Sequence, residues 1–143
     1  MIEKREFYIN GAWVAPAKAR DCLVINPSTE EACAVISLGD EADTNAAVAA
    51  AKAAFPAWAA TPPATRRAYV VKILEQYEAR KEELARAVSM EMGSPLKHAR
   101  EQQVTCLPWH ANNFLTAFDT LEWIRPLGPH APNDRIALEP IGV

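Results

Sequence analysis

Residues 61–93 limit what this chain can fold into more than any other stretch. They open Thr61-Pro62-Pro63-Ala64 and close Gly93, just before Ser94-Pro95. The Thr61 hydroxyl can accept from a free N–H of a first helical turn, and Pro62 suits the first helical position, where its missing N–H costs nothing. Gly93 suits the left-handed position that ends a helix, and Pro95 forbids a restart through that point. Between these caps, apolar residues recur at helical spacing: Val70, Ile73, Leu74, Tyr77, Leu84, Val88 and Met92. A single helix of that length would run roughly 45 Å at about 1.5 Å per residue, longer than a small domain is wide. The polar run at residues 78–83 has no buried face to offer. The pattern therefore predicts a break there and two consecutive helices. Nothing in this stretch is chemistry; it is packing surface, and the rest of the chain must supply what it packs against.

Upstream the signals are those of strands. Phe7-Tyr8-Ile9-Asn10-Gly11-Ala12-Trp13-Val14 predicts a two-residue hairpin, because Asn-Gly tolerates the positive φ that both turn positions need. Ile9 then faces Ala12, Tyr8 faces Trp13 and Phe7 faces Val14. Tyr8 and Trp13 share one face, and the other four residues share the opposite one. Residues 22–25 and 32–37 read as an outgoing and a returning strand around the turn Asn26-Pro27-Ser28-Thr29-Glu30-Glu31. Asp40 can cap a helix over residues 41 to about 54, with Val48, Ala51 and Phe55 as its seam and Trp58 beyond its end. Pro56, Pro62 and Pro63 then form a rigid connection.

Downstream, a helical segment over residues 96 to about 121 should be kinked, or begun afresh, at Pro108. Residues 123–125 look extended, residues 126–134 are Pro-rich and cannot be helical, and residues 135–139 alternate as a strand. The closing Pro140-Ile141-Gly142-Val143 is apolar, unlike most domain ends, which predicts a chain cut inside a fold.

Composition serves mainly to exclude. The 143 residues carry a net charge of -3 with no long run of one sign, which argues against a nucleic-acid footprint. No signal-peptide core and no apolar run of membrane-spanning length is present, so a soluble, cytoplasmic chain without a membrane partner is expected. Cys22, Cys33 and Cys106 lie far apart with no CxxC or Cys/His pair, so neither a zinc site nor a disulfide framework is indicated. The five glycines never cluster into a phosphate loop. His98, His110 and His130 are equally scattered and read as surface or packing residues. On these grounds the chain is α+β, hairpins flanking a helical layer, and its function stays open.

The order of parts resembles the N-terminal portion of the aldehyde dehydrogenase superfamily. The resemblance rests on residues 8–13 (YINGAW), 26–30 (NPSTE), the Ala-rich residues 46–55 followed by Trp58, residues 66–83, residues 91–95 (EMGSP) and residues 139–143 (EPIGV). It implies an α+β fragment of the α/β aldehyde dehydrogenase fold. Residues 1–122 would be the wrapping part of the cofactor-binding domain, 123–139 the start of a β-arm that pairs subunits, and 140–143 the approach to the dinucleotide-binding sheet. Family members oxidise aldehydes to acids with NAD or NADP, through a cysteine nucleophile, a glutamate that activates water and an oxyanion site. In the family those groups stand downstream of a segment like residues 139–143, so no catalytic or cofactor-binding residue is assigned to this chain. The resemblance also implies a monovalent cation held by the carbonyls of Val24 and Ile25 and by Glu91. The partners it implies are the remainder of the fold, in one chain or supplied by a second polypeptide, and further copies in a dimer or tetramer. The competing readings are a non-catalytic helical module that binds another protein and a domain that folds alone. A self-sufficient module would cover most of Val48, Phe55, Leu74, Val88 and Phe118 by itself.

Overall fold

A computed structural model describes residues 1–141; Gly142 and Val143, part of the predicted approach to the dinucleotide-binding sheet, lie outside the described residues. Strand β1 (Ile2–Lys4) is followed by the hairpin β2 (Phe7–Ile9) and β3 (Ala12–Val14), then β4 (Asp21–Asn26) and β5 (Glu31–Ser37). Helices α1 (Glu41–Ala59), α2 (Pro63–Ala79), α3 (Lys81–Met92) and the short α4 (Leu96–His98) lead through a π-helical turn (Ala99–Gln103) into α5 (Cys106–Thr120). A last hairpin, β6 (Ile124–Gly128) and β7 (Ala131–Ala137), closes the described chain.

The predicted first hairpin is present in its predicted register. Phe7, Tyr8 and Ile9 pair with Val14, Trp13 and Ala12, and Asn10 and Gly11 take φ of 52° and 80°. Tyr8 and Trp13 meet edge to face at 5.2 Å. Strands β4 and β5 pair antiparallel around a turn in which the Asn26 carbonyl accepts from the Thr29 and Glu30 N–H groups. Strand β1, which the sequence reading omits, adds to β5 in parallel and gives the sheet order β1-β5-β4. Three residues are too few for a periodic signal.

The predicted break in the central stretch falls at Arg80, between α2 and α3, and Gly93 ends α3 with φ 68°. The predicted start of the first of these helices is displaced. The Thr61 hydroxyl donates back to the Ala57 carbonyl at 3.0 Å, and Pro63 rather than Pro62 takes the first helical position. Thr61 is therefore drawn into the tail of α1. That helix, capped by Asp40 as predicted with Asp43 answering reciprocally, runs on through Pro56 and includes Trp58. The ring removes one N–H, but the carbonyl it would have served belongs to exposed Lys52, where water can take its place.

Pro108 does not kink a continuous helix. The break comes earlier, at the π turn and Val104-Thr105, and Pro108 sits in the first turn of α5, where its N–H has no intrahelical partner to lose. The Pro-rich stretch is extended, and not helical, as predicted. β6 and β7 pair antiparallel over most of it, with the register disturbed between Pro126 and Gly128.

Few side chains are fully removed from water. Val35, Ala85, Ala99, Val104 and Leu115 are the buried apolar residues, and Ala85, Ala99 and Val104 form one cluster with Tyr77, Leu84, Val88 and Leu96 packed around it. The Tyr77 hydroxyl donates to the Val104 carbonyl at 3.1 Å, which ties α2 to the start of α5. Among the described residues no helix is long and apolar enough to cross a membrane.

Gly11 has open space where a Cβ would stand, so substitution there meets backbone strain alone. Gly11→Val should lower stability by about 1–2 kcal/mol through its positive φ. Denaturant unfolding measures this, and an unchanged midpoint would count against the turn's importance.

Candidate functional site

An open apolar groove of about 430 Å³ lies where the end of α1, the start of α2, the end of α5 and the base of the β6–β7 hairpin converge. Two features build it. Arg67 grips Asp119 with two parallel hydrogen bonds of 2.6 and 2.7 Å and so fastens α2 to α5. The aromatic series Phe114, Phe118 and Trp123 then runs along its wall, with ring centroids 5.7 and 4.9 Å apart. Trp58, Val70, Leu121 and the segment Leu138-Glu139-Pro140 complete the lining. Arg66 and Glu139 are the exceptions to the apolar walls; Arg66, only 9 % exposed, lies over the Trp123 ring at 5.1 Å. A groove of this kind recognises shape and apolar surface. It holds no nucleophile beside a base.

The residues predicted to hold a cation occupy two elements that the fold brings together. Val24 is half-buried and Ile25 exposed on β4, where the pairing register slips by one residue. Glu91 is exposed on the last turn of α3. The end of that helix presses on the Asn26-Pro27 turn so closely that a Cβ on Gly93 would stand 2.7 Å from Pro27 Cγ. The Val24 carbonyl already accepts from the Cys33 thiol at 3.3 Å.

The cysteines are free, Cys22 and Cys33 in strands β4 and β5 and Cys106 at the head of α5. His98 and His110 are exposed on helices, His110 against the edge of Trp109, and His130 lies in the β6–β7 turn. Among the described residues no group of three His, Cys, Asp or Glu side chains could hold a metal ion. The described glycines are spread over separate turns and caps, and none lies on the groove. These residues thus form no cradle of backbone N–H groups for a dinucleotide's phosphates.

Sequence reasoning missed the groove and Arg66. A signal was present: Arg66 stands one helical turn before Val70, a charge on the apolar side of α2. The same reading overestimated Ile73, which is 59 % exposed. Phe55, Leu74, Val88 and Phe118 are only half-buried, and Val48 is 60 % exposed. The chain therefore does not cover by itself the faces that a self-sufficient module would cover.

Comparison with known proteins follows the same direction. Residues 13–143 match the profile described as the aldehyde dehydrogenase family. The chain is 37% identical over its whole length to a 3-succinoylsemialdehyde-pyridine dehydrogenase of a Pseudomonas species, of which it spans 29%. An aldehyde dehydrogenase structure from Bartonella henselae superposes with a TM-score of 0.88 at 46% identity, over 90% of this chain and 27% of that one. Another, from Pseudomonas syringae in complex with NAD+ and octanal, gives 0.84 at 40% identity, over 87% and 26%. The chain thus spans little more than a quarter of the length of these relatives, and it corresponds to their N-terminal segment.

The Arg67 fork holds the Asp119 carboxyl below the usual carboxylate range. An unfolded Asp titrates near about 3.9. The pair's contribution is then complete above about pH 5 and lost as pH falls through the lowered native value. The stability difference between wild type and Arg67→Met should narrow below about pH 4. Unfolding curves across that range measure it, and a gap independent of pH would refute the pair's role.

Proposed function

The chain belongs to the aldehyde dehydrogenase family, and from that premise we propose that it is the front part of an NAD(P)-dependent enzyme that oxidises an aldehyde to a carboxylic acid. The catalytic groups and the NAD or NADP site stand on polypeptide beyond this segment. This segment wraps the cofactor-binding domain with residues 1–122 and begins the subunit-pairing arm with residues 123–139, in a cytoplasmic dimer or tetramer.

One observation carries the reading. The chain exposes 10511 Å² for a mass of 15.7 kDa. A compact monomer of that mass exposes about 7,300 Å². The excess of roughly 3,000 Å² is more than one partner contributes to a standard protein–protein interface. Much of the exposed surface is apolar, including Tyr8 and Trp13 on the hairpin, Ile73 on α2 and Ile124 on β6. A surplus of that size and character supports the reading of a wrapping segment over that of a helical module that covers its own apolar surface.

We further propose that the Val24 and Ile25 carbonyls and Glu91 hold a monovalent cation; the register slip at Val24 and Ile25 and the close approach of the α3 end to Pro27 support this. When bound, the ion would join sheet to helix and supply no chemistry to the aldehyde.

The isolated 143-residue chain should turn over no aldehyde with either nucleotide, whereas the chain grafted in place of the matched quarter of the Bartonella henselae relative should do so. Turnover by the chain alone, or an inert but folded graft, would overturn the proposal. For the cation, potassium chloride should raise the thermal midpoint above that in choline chloride, and Glu91→Gln should abolish the difference. Equal midpoints for wild type in the two salts would remove the site.

A further inference from the structure

We propose that the groove beneath α2 and α5 seats a polypeptide segment that brings an Asp or Glu side chain to Arg66. The inference rests on the reading above, that further polypeptide completes this fold.

Two adjacent arginines meet opposite fates. Arg67 is half-exposed and doubly bonded to Asp119. Arg66 is the buried one, with 9 % of its surface accessible. One face of its guanidinium covers Trp123, and its Nη1 donates to the Ala59 carbonyl at 3.5 Å, a long contact. Among the described residues no carboxylate lies within ion-pair distance of it. An arginine carries five N–H donors and cannot shed its charge. A buried cation with one long hydrogen bond and a ring face is far from satisfied. Arg66 lines the groove, whose other walls are apolar (Val70, Phe114, Phe118 and Leu138) except at Glu139, which makes no ion pair with it. The complementary occupant is therefore apolar around one anionic side chain. The groove is open and bordered by Leu138-Glu139-Pro140. Relatives carry nearly three quarters of their length outside the matched part. These points favour a polypeptide occupant over a small amphipathic acid.

The test compares Arg66→Met in two settings: the 143-residue chain alone and the chain grafted into the Bartonella henselae relative. In the graft, the substitution strands a buried carboxylate and should lower the thermal midpoint by roughly 5 °C or more. In the isolated chain it removes an unmatched charge and should leave the midpoint unchanged or raise it. Arg66→Lys, which keeps the charge but not the fork, should fall between in the graft. A crystal structure of the graft should show a carboxylate oxygen from the relative's portion at about 3 Å from Arg66. An equal loss in both settings would overturn the proposal, since it would mean that Arg66 only packs on Trp123. So would a graft structure in which Arg66 meets nothing but Glu139 or main-chain carbonyls. Octanoate that quenches tryptophan fluorescence in the wild-type chain but not in Arg66→Met would assign the groove to a small acid instead. An active graft that fails these tests overturns this inference alone; a graft that does not fold removes the premise and both readings with it.

Discussion

Two alanines hold the helical layer together. Ala85 on α3 and Ala99 at the head of the π turn are both completely shielded from water. Their small side chains let the two backbones approach closely, and Val104 fills the space beside them. From that contact the other relations follow. Tyr77 reaches across to the Val104 carbonyl and sets α2 against it. Arg100 on the π turn takes the Glu82 carboxylate of α3 in a double grip at 2.6 and 2.8 Å. The Glu82 carboxyl is held below its ordinary range, chiefly by that hydrogen-bonded guanidinium. Exposed ion pairs of this sort contribute little energy singly. Their place here is to fix the orientation of elements that share only a thin apolar seam.

What could be read from the residues was local. Asn10-Gly11 dictates its own turn and register, because few residue pairs accept positive φ at both positions. Gly93 and Asp40 announce helix ends through backbone chemistry that needs no distant partner. What could not be read depends on neighbours far along the chain. Strand β1 exists because β5 offers it an edge, and nothing in Ile2-Glu3-Lys4 says so. The π turn follows from fitting Ala99 against Ala85, a long-range condition. Pro56 stayed helical because the carbonyl it leaves free belongs to an exposed residue, and exposure is a tertiary fact.

The groove was illegible for the same reason. Arg66 and Arg67 are neighbours in sequence, and only the place of Arg66 one turn before Val70 hints which of the two is buried. The distinction comes from α5, which brings Asp119 to one and an aromatic wall to the other. The proposed cation residues were legible only as a resemblance, since two of the three would act through carbonyls that any residue carries.

Gly93 stands at that contact under two independent restrictions. Its φ of 68° favours a residue without a side chain, and Pro27 leaves no volume for one. Handedness and room are separate demands: an L-residue that accepted the positive φ, such as Asn, would still press its Cβ on the proline ring. The position therefore behaves as a rivet between sheet and helix bundle, one that yields to neither backbone flexing nor side-chain rotation. Any L-side chain placed there would press on the proline ring and load the boundary between the two layers.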